Sequence, residues 1–254
     1  MTLQRDPTKR FSDRVDYYLS SRPGYPREVI DVLTAEAGLS SRSEVADVGS
    51  GTGILSEMFL KAGCRVFAVE PNFEMRSAAE AKLSEYRNFI SVNGRAEDTS
   101  LMESCVDFVS AGQAFHWFDR DPAKREFLRI LKPGGWAMIV WNTRRTDSTP
   151  FLIAYESLLR AYSLDYSSIN HTNITARQMS EFLGPHEKRV FTNIQPLDFD
   201  GLKGRLLSSS YVPMHDHQNY EPMIAELQRI FGEYESAGKV SVEYDTEMYY
   251  AKVK

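Results

Sequence analysis

The sequence predicts an α/β fold, a mostly parallel sheet with helices on both faces and a closing antiparallel pair of strands. Three observations carry this prediction. An apolar run at residues 45–48 breaks into alternating glycines, Gly49, Gly51 and Gly53, and then into an apolar helical pattern. Short apolar runs alternate with helical stripes in regular order from residue 45 to residue 141. The runs are apolar on both faces, as parallel strands must be when crossover helices cover the sheet on both sides.

The elements follow in order. Phe11, Val15, Tyr18 and Leu19 lie at helical spacing and predict an N-terminal helix over 11–21, ending in the turn-forming Arg22-Pro23-Gly24-Tyr25-Pro26. Pro26 opens a second helix with Val29, Ile30, Leu33 and Ala37 on one face and Gly38 as its stop. Residues 45–48 form the first strand, and Ile54, Leu55, Met58, Phe59 and Ala62 stripe the helix behind it up to Gly63. Residues 65–69 are the second strand, Met75 to Leu83 mark a helix, and 89–92 and 106–110 are the third and fourth strands. Asp121-Pro122 reads as a cap and first-turn proline for a helix over 123–131, stopped by Lys132-Pro133-Gly134-Gly135, and 136–141 is the fifth strand.

Beyond Thr143 the rhythm changes. Residues 151–162 and 175–183 read as cap helices around an irregular polar stretch, 189–199 and 240–253 alternate like strands, and 201–209 and 218–236 are helical between them. The expected organisation is one domain over 1–254. It comprises an N-terminal lid (1–40), a ligand-binding core (41–142), a helical cap (143–187) and closing strands with an insertion (188–254).

Composition narrows the class. The chain has 254 residues, 42% hydrophobic content and a net charge of -5, so it can bury a large core and lacks the broad basic surface of a nucleic-acid binder. Cys64 and Cys105 form no CxxC or Cys/His cluster, which points to a reducing, cytoplasmic setting without disulfide or zinc. Residues 1–9 are polar, without an apolar core of signal-peptide length, so no signal peptide is expected, and no run approaches a membrane span.

The glycine loop points to a nucleotide-like ligand, because glycines supply positive φ and let backbone N–H groups approach a ligand at a helix start. Glu70 ends the second strand about 20 residues later, where an open α/β sheet places the carboxylate for ribose hydroxyls. The spacing is G-x-G-x-G, whereas a dinucleotide fingerprint runs G-x-G-x-x-G. Asp47 beside the loop suits a ligand with an ammonium group better than a pyrophosphate.

With these motifs the chain resembles the class I S-adenosylmethionine-dependent methyltransferases. Asp47-Val-Gly-Ser-Gly-Thr-Gly53, Glu70 followed by Pro71 and Asn72, Asn93-Gly-Arg-Ala-Glu-Asp98, residues 106–117 and Arg129-Ile-Leu-Lys-Pro-Gly-Gly135 occur in the family order over residues 40–142. The flavour is similar to the small-molecule "type 11" group, which includes quinone-biosynthesis, biotin-pathway and trans-aconitate enzymes. Arg22-Pro-Gly-Tyr-Pro26 also resembles that group's N-terminal segment. The resemblance implies a Rossmann-like sheet of seven strands with an antiparallel last strand. It implies S-adenosylmethionine as cofactor, with Gly49 and Gly51 at its methionine part, Glu70 and the adjacent Pro71 at the ribose, and Ala96 and Glu97 at the adenine. Met75 either packs on the adenine or is a core methionine.

Methyl transfer from a sulfonium needs proximity and a dry site more than a catalytic motif. Gln113 is expected at the cofactor. His116 is either a general base or orienting group, or with Trp117 part of a pocket wall. Arg144, Arg145 and Arg22 are candidates for an anionic acceptor, and Tyr17 and Tyr25 for closing over the ligands. His215 and His217 lack an evident third ligand, so no metal is assigned. The leading expectation is methyl transfer to a small-molecule carboxylate or hydroxyl, without a nucleic-acid or membrane partner, the acceptor and the oligomeric state left open. Its rivals are an NAD(P)-binding oxidoreductase and a non-catalytic cofactor-binding protein. Ala111-Gly-Gln-Ala114 after the fourth strand disfavours the base-amino and glutamine-amide methyltransferases, which carry Asn/Asp-Pro-Pro-aromatic there.

Overall fold

The computed structural model describes residues 21–164, 175–209 and 211–253. The expected helix over 11–21, apart from its last residue, and Tyr17 lie outside the described residues, as does most of the irregular stretch after residue 163.

Seven strands form one sheet: β1 (Glu44–Val48), β2 (Arg65–Val69), β3 (Phe89–Val92), β4 (Val106–Gly112), β5 (Leu131–Arg144), β6 (Glu187–Leu197) and β7 (Val240–Lys252). Their order is β3-β2-β1-β4-β5-β7-β6. The first five pair in parallel, and β7 runs antiparallel to both β5 and β6. The order reverses between β1 and β4, so a crevice opens at the carboxyl ends of these two strands.

Eight α-helices occur among the described residues: α1 (Glu28–Ala37), α2 (Ile54–Lys61), α3 (Phe73–Leu83), α4 (Arg120–Ile130), α5 (Pro150–Tyr162), α6 (Ala176–Leu183), α7 (Phe199–Leu207) and α8 (Tyr220–Tyr234). Because strand side chains alternate, the sheet buries two different sets of residues. On one face Val45, Phe108 and Val140 pack with Val29 and Leu33 of α1 and Leu55 and Phe59 of α2. On the other, Ala46, Val109 and Ile139 pack with Phe127 of α4 and Phe182 of α6. A third cluster joins α5, α7 and α8 over Val240, Val242 and Tyr244 of β7.

Several boundaries differ from expectation for identifiable reasons. The helix expected to be capped at Asp121 starts at Arg120 behind Asp119, because Asp121 and Pro122 fit its first turn equally well. β5 already pairs at Leu131, with the Lys132–Gly135 turn absorbed in a register shift opposite Val106 and Phe108. β6 ends at Leu197 rather than 199, because the Asp198 carboxylate accepts the Gly201 N–H and starts α7.

The N-terminal segment is tied to the crevice end of the sheet by three amide side chains, of which Asn142 is buried. The Asn142 amide donates to the Gly24 carbonyl at 3.0 Å, and its Oδ1 accepts from Thr246 Oγ1 at 2.5 Å and Asn193 Nδ2 at 3.2 Å. Asn193 Nδ2 also donates to the Gly24 carbonyl, and Gln195 Nε2 to the Ser21 carbonyl. Each such bond contributes about 1 kcal/mol, so the segment is held by several small gains.

Candidate functional site

The loop between β1 and α2 is built by glycines with positive φ: 71° at Gly49, 55° at Gly51 and 79° at Gly53. The Gly49 and Ser50 N–H groups donate to the Val69 carbonyl, which fastens the loop to the end of β2. A Cβ on Gly49 would lie 2.6 Å from Ala114 Cβ, so the segment after β4 closes directly on the loop there. A Cβ on Gly51 would meet nothing within 4 Å, so the backbone at Gly51 faces open space.

Glu70 continues from β2 and is 9% exposed. Its Oε2 accepts the Gly51 N–H at 2.9 Å and its Oε1 the Asn72 N–H at 2.8 Å. Burial raises its carboxyl above the usual range, against the lowering effect of these two N–H groups and the Arg76 charge. A carboxylate has about four acceptor positions, so two remain for a ligand. Asn72 in turn caps α3 by accepting the Met75 N–H, and Met75 is buried, 4% exposed. Pro71 is half-buried, and its carbonyl is within 3.4 Å of Arg76 Nη1. Ala96 is buried, and the Glu97 carboxylate accepts the Asp119 N–H at 2.9 Å.

Asp47 is 1% exposed, and its carboxylate accepts from Ser56 Oγ at 2.6 Å and Ser110 Oγ at 3.2 Å. Burial pushes its pKa up to about 6, opposed by those two hydroxyls and helped by the nearby Glu70 charge. Ser50 Oγ and Thr52 Oγ1 are buried without a hydrogen-bond partner among the described residues. Unpaired buried hydroxyls are costly, and two in one loop fit a polar ligand seated on it.

At the end of β4 Gln113 has φ 56°, a conformation uncommon for a side-chain-bearing residue. Its N–H donates to the Val140 carbonyl and its amide to the Asn142 carbonyl at 3.2 Å. The following 3-10 turn, Phe115–Trp117, carries His116, half-buried, its ring 4.7 Å from that of Trp117. The Tyr25 hydroxyl lies 2.7 Å from where a Gly112 Cβ would be, so the glycine leaves room for the tyrosine tip at the end of β4. The fold thus brings Asp47, the glycine loop, Glu70, Gln113 and Tyr25 to one edge of the sheet.

The arginines are placed differently from free surface charges. Arg144 pairs with the buried carboxylate of Glu156 and lies 5.3 Å from the Tyr155 ring centre. Arg145 pairs with Asp245 at 2.6 Å, and Arg22 donates to the Ser208 carbonyl at 2.7 Å. His217 Nδ1 accepts the Asn219 N–H, and the His215 ring lies against Tyr220. Asn142, Ser56 and Ser110 escaped sequence reasoning. The signal for Asn142 is a polar residue directly after an apolar strand at the crevice end.

Residues 46–139, which span the loop, Glu70, Glu97 and the β4 segment, match a family model described as a methyltransferase domain of type 11. Over these residues the chain is similar to a methyltransferase domain of this type. An uncharacterized methyltransferase of Mycobacterium tuberculosis is 38% identical over 141 residues, covering 56% of this chain and 55% of that protein. A malonyl-[acyl-carrier protein] O-methyltransferase of Marinomonas is 30% identical over 155 residues, 59% of this chain and 56% of that enzyme. The chain thus spans just over half the length of these curated relatives. A solved structure described as a type II methyltransferase, from Anaeromyxobacter dehalogenans, superposes with a TM-score of 0.69 at 21% identity, covering 91% of this chain and 98% of that one. That likeness establishes the fold of the methyltransferase domain and of the strands that close its sheet.

Two outcomes test the construction of the domain's loop. Gly49→Ala should lose about 2 kcal/mol or more in urea unfolding, since it adds the Ala114 overlap to the positive-φ penalty, whereas Gly51→Ala should lose only about 1 kcal/mol. Equal losses would show that the loop does not close on Ala114. The second outcome concerns Asp47. Its folded pKa lies above the unfolded one, so stability from the protonated carboxyl is full below about pH 4 and lost as pH rises through about 6. Asp47→Asn should therefore stabilise the fold at pH 7.5, on the order of 2–3 kcal/mol, with the gain vanishing near pH 4. A gain that is constant with pH would mean that Asp47 is not ionised at the cost of burial.

Proposed function

We propose that the protein is an S-adenosylmethionine-dependent methyltransferase whose acceptor is a small molecule bearing a carboxylate or hydroxyl. The observation that carries this reading is the Glu70 carboxylate bonded to the Gly51 N–H, with spare acceptor positions beside a glycine that faces open space. The unpaired Ser50 and Thr52 hydroxyls support it. Glu70, with Pro71 beside it, would hold the ribose, Gly49, Gly51 and Asp47 the amino-acid part, and Ala96, Glu97 and Met75 the adenine, with Gln113 at the reacting end. The bound cofactor supplies a methyl group on a sulfonium, a leaving group already activated. The chain's task is therefore to orient the acceptor and exclude water.

Tyr25, with Tyr17 upstream of it, and Trp117 are the groups we assign to enclosing the acceptor. Arg22 and Arg144 are the basic residues we assign to that side; Arg144 and Arg160 share the single Glu156 carboxylate, so the trio keeps one net positive charge. The half-buried His116 is within the same segment and is suited to take a hydroxyl proton. Nucleic acid and membrane are not partners in this reading, and the free Cys64 and Cys105 fit a cytoplasmic protein. Among the described residues no helix is long and apolar enough to cross a membrane.

Calorimetric titration of S-adenosylmethionine and, separately, NADH into wild type, Glu70→Ala and Glu70→Gln tests the cofactor. The sulfonium compound should bind wild type and lose roughly 1–3 kcal/mol in Glu70→Ala, with less loss in Glu70→Gln, and NADH should not bind. Binding of NADH instead would move the protein to the oxidoreductases. With an acceptor in hand, His116→Ala separates two roles. A general base predicts a fall in kcat of about 10²–10⁴-fold that is steepest for a hydroxyl acceptor. A change below about threefold would leave His116 as pocket wall. Tight cofactor binding with no turnover on any acceptor would identify the non-catalytic alternative.

A further inference from the structure

Arg205, on α7, is 8% exposed, and among the described residues no carboxylate lies within ion-pair distance of it. Its Nε donates to the Tyr244 hydroxyl at 2.9 Å and its Nη1 to Ser209 Oγ at 3.2 Å. These bonds use two of the five guanidinium N–H groups. The neighbouring arginines contrast with it: Arg144 and Arg160 both reach Glu156, the buried carboxylate of α5, and Arg145 reaches Asp245. Arginine does not shed its proton in proteins, so Arg205 is a permanent buried cation whose hydrogen-bond partners among the described residues are the neutral hydroxyls of Tyr244 and Ser209. An uncompensated buried charge is costly, and an anion that enters beside it reduces that cost.

The position is on the crevice side. Tyr244, to which Arg205 donates, pairs in register with Arg144 at the carboxyl end of β5 and with Asn193 of β6. Its hydroxyl also donates to Gln195 Oε1, and Gln195 holds the Ser21 carbonyl of the N-terminal segment. Arg22 of that segment donates to the Ser208 carbonyl, one residue from the serine that Arg205 holds. Arg22 and Arg205 thus bond adjacent residues 208 and 209, and the bonded partners of Arg205 among the described residues are all neutral.

We infer that Arg205 is the anchor for a carboxylate of the methyl acceptor, held by the free N–H groups of its guanidinium fork and positioned by Tyr244 and Ser209. The inference rests on the methyltransferase reading and adds to it a group the acceptor must carry. One uncompensated charge matches a monoanion, and the planar fork matches a carboxylate. A carboxylate so bonded has its lone pairs engaged and is a poor nucleophile. Arg205 thus orients the acceptor while another of its atoms receives the methyl.

The test uses the full-length protein saturated with S-adenosylhomocysteine. Butyrate, butyramide and inorganic phosphate are titrated into wild type, Arg205→Gln and Arg205→Lys, with thermal melts to establish folding. Butyrate should bind wild type, butyramide and phosphate should bind at least tenfold more weakly, and Arg205→Gln should weaken butyrate at least tenfold, with Arg205→Lys between. Affinity for S-adenosylhomocysteine should stay within twofold in both variants. Failure of S-adenosylhomocysteine to bind wild type would count against the methyltransferase reading, and butyrate would then be titrated into the protein alone. Undiminished butyrate binding in folded Arg205→Gln, or no binding by wild type, overturns the anchor, and phosphate binding as tight as butyrate overturns the carboxylate assignment. If Arg205→Gln does not fold, ¹⁵N-arginine-labelled wild type decides: a saturable shift of the Arg205 Nε signal with butyrate supports the anchor and an unmoved signal rejects it.

Discussion

The hydrogen bond from the Gly51 N–H to the Glu70 carboxylate is the contact on which the ligand edge depends. It joins the turn after β1 to the end of β2, and the other oxygen of the same carboxylate fixes the Asn72 N–H just before α3. Asn72 then caps that helix through the Met75 N–H. One buried side chain therefore sets the loop, the strand end and the helix start. Removing it leaves two backbone donors without their acceptor, at about 1–3 kcal/mol for each one buried. Burial raises the pKa of the carboxylate and outweighs the lowering by these two N–H groups and by the Arg76 charge. Such a carboxylate gains from further donors, and ribose hydroxyls are donors.

A parallel sheet ends its strands at one edge, and the chain must cover that edge without closing it. The segment from Ser21 to Tyr25 does so, held by Gln195, Asn193 and Asn142. Asn142 binds the same layer to β7 through Thr246, and the Gln113 amide bonds its carbonyl. Polar contacts suit this place better than apolar packing, since each is weak alone and several can rearrange together when a ligand enters. The positive φ at Gln113 stores strain at the same edge, of order 1–3 kcal/mol, which the packing around it must offset.

What the sequence makes legible follows how local the determining interactions are. β2 and β3 begin and end where expected, because each is a short apolar run whose limits are set by its immediate neighbours. The glycine loop and Glu70 are equally legible, since their spacing is fixed by one strand-loop-helix unit. The start of β5 is not, because pairing with β4 extends it across a Pro-Gly-Gly turn that local rules treat as a break. The side-chain network is least legible. Asp47 meets Ser110 from 63 residues away, and Asn142 meets Thr246 from 104. Arg205 reads in sequence as one more helical surface cation. Only the packing of α7 against β7 reveals that it is buried and without a carboxylate.

Asp47 and Arg205 are buried charges of opposite sign, each bonded to hydroxyls and neither to a counter-charge among the described residues. Asp47 lies in β1 under the glycine loop, and Arg205 bonds Tyr244 of β7, opposite the carboxyl end of β5. A fold selected for stability alone would pair such charges or replace them with apolar groups, since unpaired buried charge is among the costliest features a core can hold. In the proposed reading their separation serves two ligands: Asp47 would face a cationic ammonium and Arg205 the anion of an acceptor. Direct contact between them would compensate both and leave neither ligand a partner. In that reading each charge would act on its ligand with little screening in a site that excludes water, and the cost of burying it would be recovered as binding energy and orientation.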